Sequence, residues 1–149
     1  MQVKDIMTKK AITVKSDASV MEVARLLNQH KIHGVPVTDA NNMLVGIITE
    51  SDFFVKNLPH LYLPSYIELL KKTEFAKRMP KEEKQKAEKL LEAKAEDIMT
   101  KDCIFVSPDL DVSKLMAMFR EMHLYTVPVI DETRRVIGVV TVADIIKLI

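Results

Sequence analysis

Apolar side chains fall at Val20, Val23, Ala24 and Leu27, the spacing that lines one face of a helix, and again at Val112, Leu115, Met116 and Phe119. Just ahead of these stretches Asp17 and Ser19, or Asp109 and Asp111, supply the short polar side chains that cap a helix N-terminus. The apolar stretches at residues 11–14 and 103–106 read as short strands. After each helix come two β-rich runs, 35–38 and 43–49 in one place, 127–130 and 136–141 in the other. Polar turns at 39–42 and 131–134 separate them, and a short closing helix is expected after Thr49 and after Thr141. The predicted order is β-α-β-β-α, twice.

The two halves repeat residue by residue. Asp5-Ile6-Met7-Thr8 recurs as Asp97-Ile98-Met99-Thr100, an offset of 92. Without a gap, the same offset carries Val35-Pro36-Val37 onto Val127-Pro128-Val129, and Gly46, Thr49 and Asp52 onto Gly138, Thr141 and Asp144. Repeats are expected over 1–57 (matching from residue 3) and 95–149, with an insert over 58–94. A unit of this length is marginal alone, so the copies are expected to bury a face against each other. The insert reads as helical. Pro64 and Pro80 suit first helical turns, and Tyr66, Ile67, Leu70 and Phe75 form a stripe. It carries nine Lys or Arg against six Glu, a mildly basic arm.

Composition narrows the function classes. The chain has 149 residues, 48% hydrophobic and 29% charged, a globular balance. A net charge of +1 argues against binding nucleic acid by bulk charge. No apolar run approaches the ~20 residues of a membrane span, and the first ten residues contain no apolar leader segment, so a cytoplasmic protein is expected. Three glycines exclude a Gly-rich phosphate loop. Cys103 has no internal disulfide partner, and in a strand it reads as a small apolar residue and not as a nucleophile. His30, His33, His60 and His123 lack zinc-ligand spacing. No triad order suggests catalysis, so no enzyme activity, metal or tightly bound cofactor is expected.

Two copies of D-I-M-T, V-P-V and G-h-h-T-x-x-D (h, apolar), in the same order, resemble a tandem pair of cystathionine-β-synthase (CBS) domains, the Bateman module. The resemblance spans about three quarters of the chain and excludes the insert. It implies an α+β fold of two repeats packed with pseudo-twofold symmetry, with a helical insert between them. It implies a regulatory sensor that binds an adenine nucleotide (AMP, ADP or ATP) or S-adenosylmethionine between the repeats. The output would be a conformational change felt by a separate protein. It also implies a homodimer formed through helices, for which Val20, Val23, Leu27, Val112, Leu115, Phe119, Ile145, Ile146 and Ile149 supply apolar surface. The competing reading is a ligand-independent scaffold or oligomerisation module that acts through the insert.

By the same resemblance each cleft is shared between the copies. One takes Thr141 and Asp144 from the second repeat, with Thr8, Ala11, Ile12, His33 and Gly34 from the first. The other takes Thr49 and Asp52 from the first, with Thr100, Cys103, Ile104, Tyr125 and Thr126 from the second. Pro36 and Pro128 follow residues whose main chain would read an adenine edge, and each Asp would accept from ribose hydroxyls. Glu50, if it faces a phosphate, disfavours the Thr49 cleft, so the Thr141/Asp144 cleft is expected to be the better site. Thr-x-x-Asp has a second reading that needs no ligand: a capping box, in which Thr caps a helix and the acid three residues on reaches back.

Overall fold

The computed structural model describes residues 1–55, 58–72, 77–82, 84–85, 89 and 92–149. The first half runs α1 (Val3–Ile6), β1 (Thr8–Lys9), β2 (Val14–Lys15), α2 (Val20–His30), β3 (Gly34–Thr38) and β4 (Leu44–Thr49). A 3₁₀ turn, Glu50–Phe53, follows. The second half runs α4 (Ala95–Ile98), α5 (Val112–Met122), β7 (Thr126–Ile130), β8 (Val136–Thr141) and α6 (Val142–Ile146). Between them lie β5 (Phe54–Val55), β6 (Leu58–Tyr62) and α3 (Leu63–Leu70).

The long helices form as their patterns require. Ser19 caps α2 by accepting from the Glu22 amide at 3.1 Å, and Asp111 caps α5 by accepting from Ser113 at 2.8 Å. Each helix buries one stripe, Val20, Val23 and Leu27 or Val112, Leu115 and Phe119, so these six are spent inside the chain and do not supply the dimer surface expected of them. The stripes pack on two three-stranded sheets ordered β2-β3-β4 and β1-β8-β7. The second sheet contains a strand from the first repeat, because each half sends its N-terminal arm across to the other.

The D-I-M-T motif is the structural basis of this exchange. Asp5 accepts from the Gln2 amide at 2.8 Å and so caps α1; Asp97 does the same for Lys94. Val3, wholly buried, packs with Val106, Leu115, Phe119 and Val140 of the second half. Ala95 packs with Val20, Val23 and Val35 of the first. Ile6 and Met7 rest on the second core, Ile98 and Met99 on the first. The amides of Val3 and Ala95 donate to the carbonyls of Leu110 and Ala18 at 2.9 and 2.7 Å, one contact made twice. The glycine of G-h-h-T is needed for the same reason. A Cβ at Gly46 would lie 2.8 Å from the Thr100 carbonyl oxygen, and at Gly138 2.8 Å from that of Thr8.

The pseudo-twofold axis passes between Met43 and Arg135, which bridge each other, and between Gly34 and Thr126. Leu44, Ile130 and Val136 form a small core across it, with Cys103 against them. Among the described residues, the six non-glycine positions with left-handed backbone are repeat pairs: Lys10 and Asp102, Lys31 and His123, Asn42 and Arg134.

The structure departs from the expected elements in three places. Of residues 11–14 and 103–106 only Val14 enters a strand and only Val106 makes a bridge. Cys103 therefore stands in irregular chain, because Lys10 and Asp102 turn each arm away from one sheet and toward the other. After Thr49 the expected helix is only the 3₁₀ turn, since the chain leaves into the β5–β6 hairpin. The insert thus opens as a two-stranded ribbon, both of whose strands are edges, where a proline such as Pro59 is tolerated. Pro64 does lie in the first turn of α3, and Leu63 and Ile67 are buried in the first core. The Lys84 amide donates to the Pro80 carbonyl at 2.9 Å, a helical bond. Phe75, and the side chains of Tyr66 and Leu70, lie outside the described residues.

Candidate functional site

Strand register delivers the Thr and Asp of each repeat to one end of the axis. Gly34 pairs with Thr49, and Thr126 with Thr141. A Cβ on Gly34 would meet Thr126 at 3.3 Å and the Thr49 methyl at 3.5 Å, so these four residues gather at the axis. The exchanged arms then bring Thr8 and Thr100 alongside. Thr8 pairs with Val139, and Thr100 bridges Ile47.

Both Thr-x-x-Asp sequences are capping boxes. The Thr49 amide donates to Asp52 Oδ2 at 2.8 Å, and the Thr141 amide to Asp144 Oδ2 at 2.8 Å. The Thr141 hydroxyl adds a bond to the same oxygen at 3.0 Å, and that of Thr49 at 3.4 Å. The ligand-free reading of the motif is therefore realised in the structure. It uses only one oxygen of each carboxylate.

The second oxygens differ. Thr100, from the opposite repeat, donates its hydroxyl to Asp52 Oδ1 at 3.4 Å. Asp144 Oδ1 instead faces the Lys147 ammonium at 3.7 Å, one helical turn on. Asp52 is half-buried, whereas Asp144 is 7% exposed. Ser51 hydrogen-bonds the Thr49 hydroxyl at 2.9 Å; its repeat counterpart is Ala143.

Other expected residues fall into two groups. Ala11, Ile12, Cys103 and Ile104 are half-buried in the chain that links each arm to its own half. Pro36 and Pro128 are buried mid-strand, opposite Ile47 and Val139. His33 and Tyr125, by contrast, turn their side chains outward. His33 Nδ1 donates to Glu50 Oε1 at 2.7 Å, and both side chains are exposed. Glu50 is engaged there and not with the Thr49 hydroxyl. His33 and Glu50 line a groove of about 780 Å³ between α2 and the insert, with Leu27, Phe53 and Tyr62. Tyr125 and Val142 line the corresponding groove of about 320 Å³ beside α5. Neither groove is lined by Asp52 or Asp144.

Burial raises the Cys103 thiol above its ordinary value, so it stays protonated and packs as an apolar group. Among the described residues, no three His, Cys, Asp or Glu side chains gather as a metal site, and no helix is long and apolar enough to cross a membrane. The sequence reading did not reach Lys147; a lysine three residues after a capping Asp was the available signal.

The CBS domain family model matches residues 3–56 and 95–149. The uncharacterized protein MJ1426 of Methanocaldococcus jannaschii is 33% identical over 99% of this chain and 90% of its own length. The L-aspartate semialdehyde sulfurtransferase of the same organism is 32% identical over 98% of this chain, which spans only 23% of that protein. Among solved structures, the CBS domain pair of protein MJ0100 in complex with 5′-methylthioadenosine and S-adenosyl-L-methionine is 31% identical, with a TM-score of 0.69, covering 99% of this chain and 94% of that one. CBSX2, solved in complex with AMP, shares the fold at 22% identity with a TM-score of 0.74, covering 99% and 94%. With both repeats matched, and the arms, glycines and Thr-x-x-Asp tips accounted for, the chain belongs to the CBS domain family.

Proposed function

We propose that this protein is a non-catalytic regulatory module that takes an adenosyl ligand in the clefts between its repeats and reports occupancy to a separate protein by a change of shape. The observation that carries the reading is the pairing of each Thr-x-x-Asp tip with an arm from the opposite repeat, seen directly where Thr100 reaches Asp52. A ligand seated there touches both halves at once, and so has the differential contacts that a population shift requires. The likeness to a CBS pair that binds 5′-methylthioadenosine and S-adenosyl-L-methionine, at 31% identity, supports this ligand class.

On this reading the Asp of a tip accepts from the ribose hydroxyls. The buried strands beside Pro36 and Pro128 flank the base, and the main chain at His33–Gly34 and Tyr125–Thr126 reads its edge. The outward turn of the His33 and Tyr125 side chains is compatible with main-chain recognition. Self-association through α5 and α6 belongs to the same proposal, supported by the exposed Met116, Met122, Tyr125 and Ile146. Calorimetric titration with AMP, ADP, ATP, S-adenosylmethionine and 5′-methylthioadenosine tests it. Heat is expected with at least one, together with slower amide exchange in the arms; no heat with any of them refutes it. A monomer by sedimentation at micromolar concentration refutes the self-association.

A further inference from the structure

The two tips are copies in sequence but not in charge. At each, Oδ2 of the aspartate is consumed by the capping box, which leaves Oδ1 as the oxygen able to accept from a ligand. At Asp52 that oxygen holds one long bond of 3.4 Å from the neutral Thr100 hydroxyl. A bond of that length between uncharged donor and half-buried carboxylate is readily exchanged for a better-placed hydroxyl. At Asp144 the same oxygen faces the Lys147 ammonium at 3.7 Å, and the carboxylate is nearly covered. A ligand hydroxyl there must reach a nearly covered oxygen and displace the exposed Lys147 ammonium from it.

The surroundings differ in the same sense. The Asp52 tip gathers the hydroxyls of Thr49, Ser51 and Thr100, two from its own repeat and one from the other. The Asp144 tip has Val142 and Ala143 in place of Glu50 and Ser51, and among the described contacts Thr8 makes no bond to its carboxylate. Lys147 has valine as its counterpart at position 55, so the lysine is particular to one copy.

We infer that the Asp52 cleft is the tight site for the ribose of an adenosyl ligand, and that Lys147 is a specificity-determining residue that holds the Asp144 cleft in a weaker state. The inference rests on the reading of the clefts as adenosyl sites. It gives one chain two unequal sites, the second governed by an exposed lysine whose charge is open to removal.

The test is calorimetry on the full chain with 5′-methylthioadenosine and, separately, AMP. Wild type is expected to show one tight site per chain. Asp52→Asn, which keeps an acceptor for the Thr49 amide, weakens that site at least tenfold, the loss expected when a charged acceptor is removed. Lys147→Met, a change at an exposed side chain, tightens the second site about fivefold. Unfolding curves of both variants establish that they are folded. Asp52→Asn at wild-type affinity, or Lys147→Met with an unchanged isotherm, overturns the inference while the adenosyl reading stands. No binding of either compound to wild type removes both.

Discussion

Gly138→Ala probes the arm exchange at a point of close approach. The new Cβ would sit 2.8 Å from the Thr8 carbonyl oxygen and 2.9 Å from Met7 Sδ. The methionine can swing aside. The carbonyl cannot, because Thr8 and Lys9 are laddered to Val139 and Gly138. The arm must therefore withdraw by several tenths of an ångström. Alanine in a strand gains ~0.5–1 kcal/mol over glycine, while overpacking costs ~1–3 kcal/mol. A withdrawn arm also loosens Val3, whose full burial is worth ~1.5–3 kcal/mol. The net expectation is a loss of ~2 kcal/mol, or ~4–8 °C in Tm for a chain of this size. Urea unfolding reads the loss, and amide exchange at residues 8 and 9 reads the arm. Gly34→Ala is the control, since its Cβ meets only side-chain atoms, at 3.3 Å or more. Gly138→Ala as stable as wild type, with exchange at the arm unchanged, would refute the claim that this glycine exists to admit the arm.

Two further outcomes follow from backbone and charge. Lys31 ends α2 in the left-handed region at φ 52°, so Lys31→Gly is expected to stabilise by ~1 kcal/mol and raise Tm by ~2–4 °C in a thermal melt; an unchanged or lower Tm contradicts this. Asp131 is held below the usual carboxylate range by the Thr133 hydroxyl first, and then by the amides of Arg135 and Thr133. Its folded value lies below its unfolded one, so its contribution is present above the ordinary carboxylate range and is lost as pH falls through the folded value. Asp131→Asn should flatten the acid side of a urea-unfolding series taken across pH; an unaltered slope refutes the assignment.

What was legible in the sequence is what periodicity encodes. The stripes of α2 and α5, the paired strands and the internal repeat all follow from spacing, and the structure realises each apart from Met116, which lies exposed on α5. The two readings of Thr-x-x-Asp were both visible, and the capping box is the one the structure displays. What spacing does not encode is which half a segment serves. Val3 and Ala95 look like the first core residues of their own repeats, yet each is buried in the other, because the left-handed residues Lys10 and Asp102 redirect the chain. The same gap hid the fate of Glu50. Its position after Thr49 suggested a charge facing the ligand, but a side chain at the first position of a turn takes whichever partner is near, and His33 is at 2.7 Å.

The exchanged arms also account for how a small ligand could move a whole module. Each half owes part of its core to the other, so opening the axis exposes Val3 and Ala95 together with the small shared core of Leu44, Ile130 and Val136. The side-chain tie between tip and arm is slight by comparison: the 3.4 Å bond from Thr100 to Asp52 is worth ~1 kcal/mol at most. A ligand that binds only the closed arrangement adds ~2.7 kcal/mol when present at a hundredfold excess over its Kd. That exceeds the intrinsic tie and falls short of the burial that holds the halves together. On the proposed reading, occupancy adjusts the angle and mobility of docked halves without assembling or dissolving the fold.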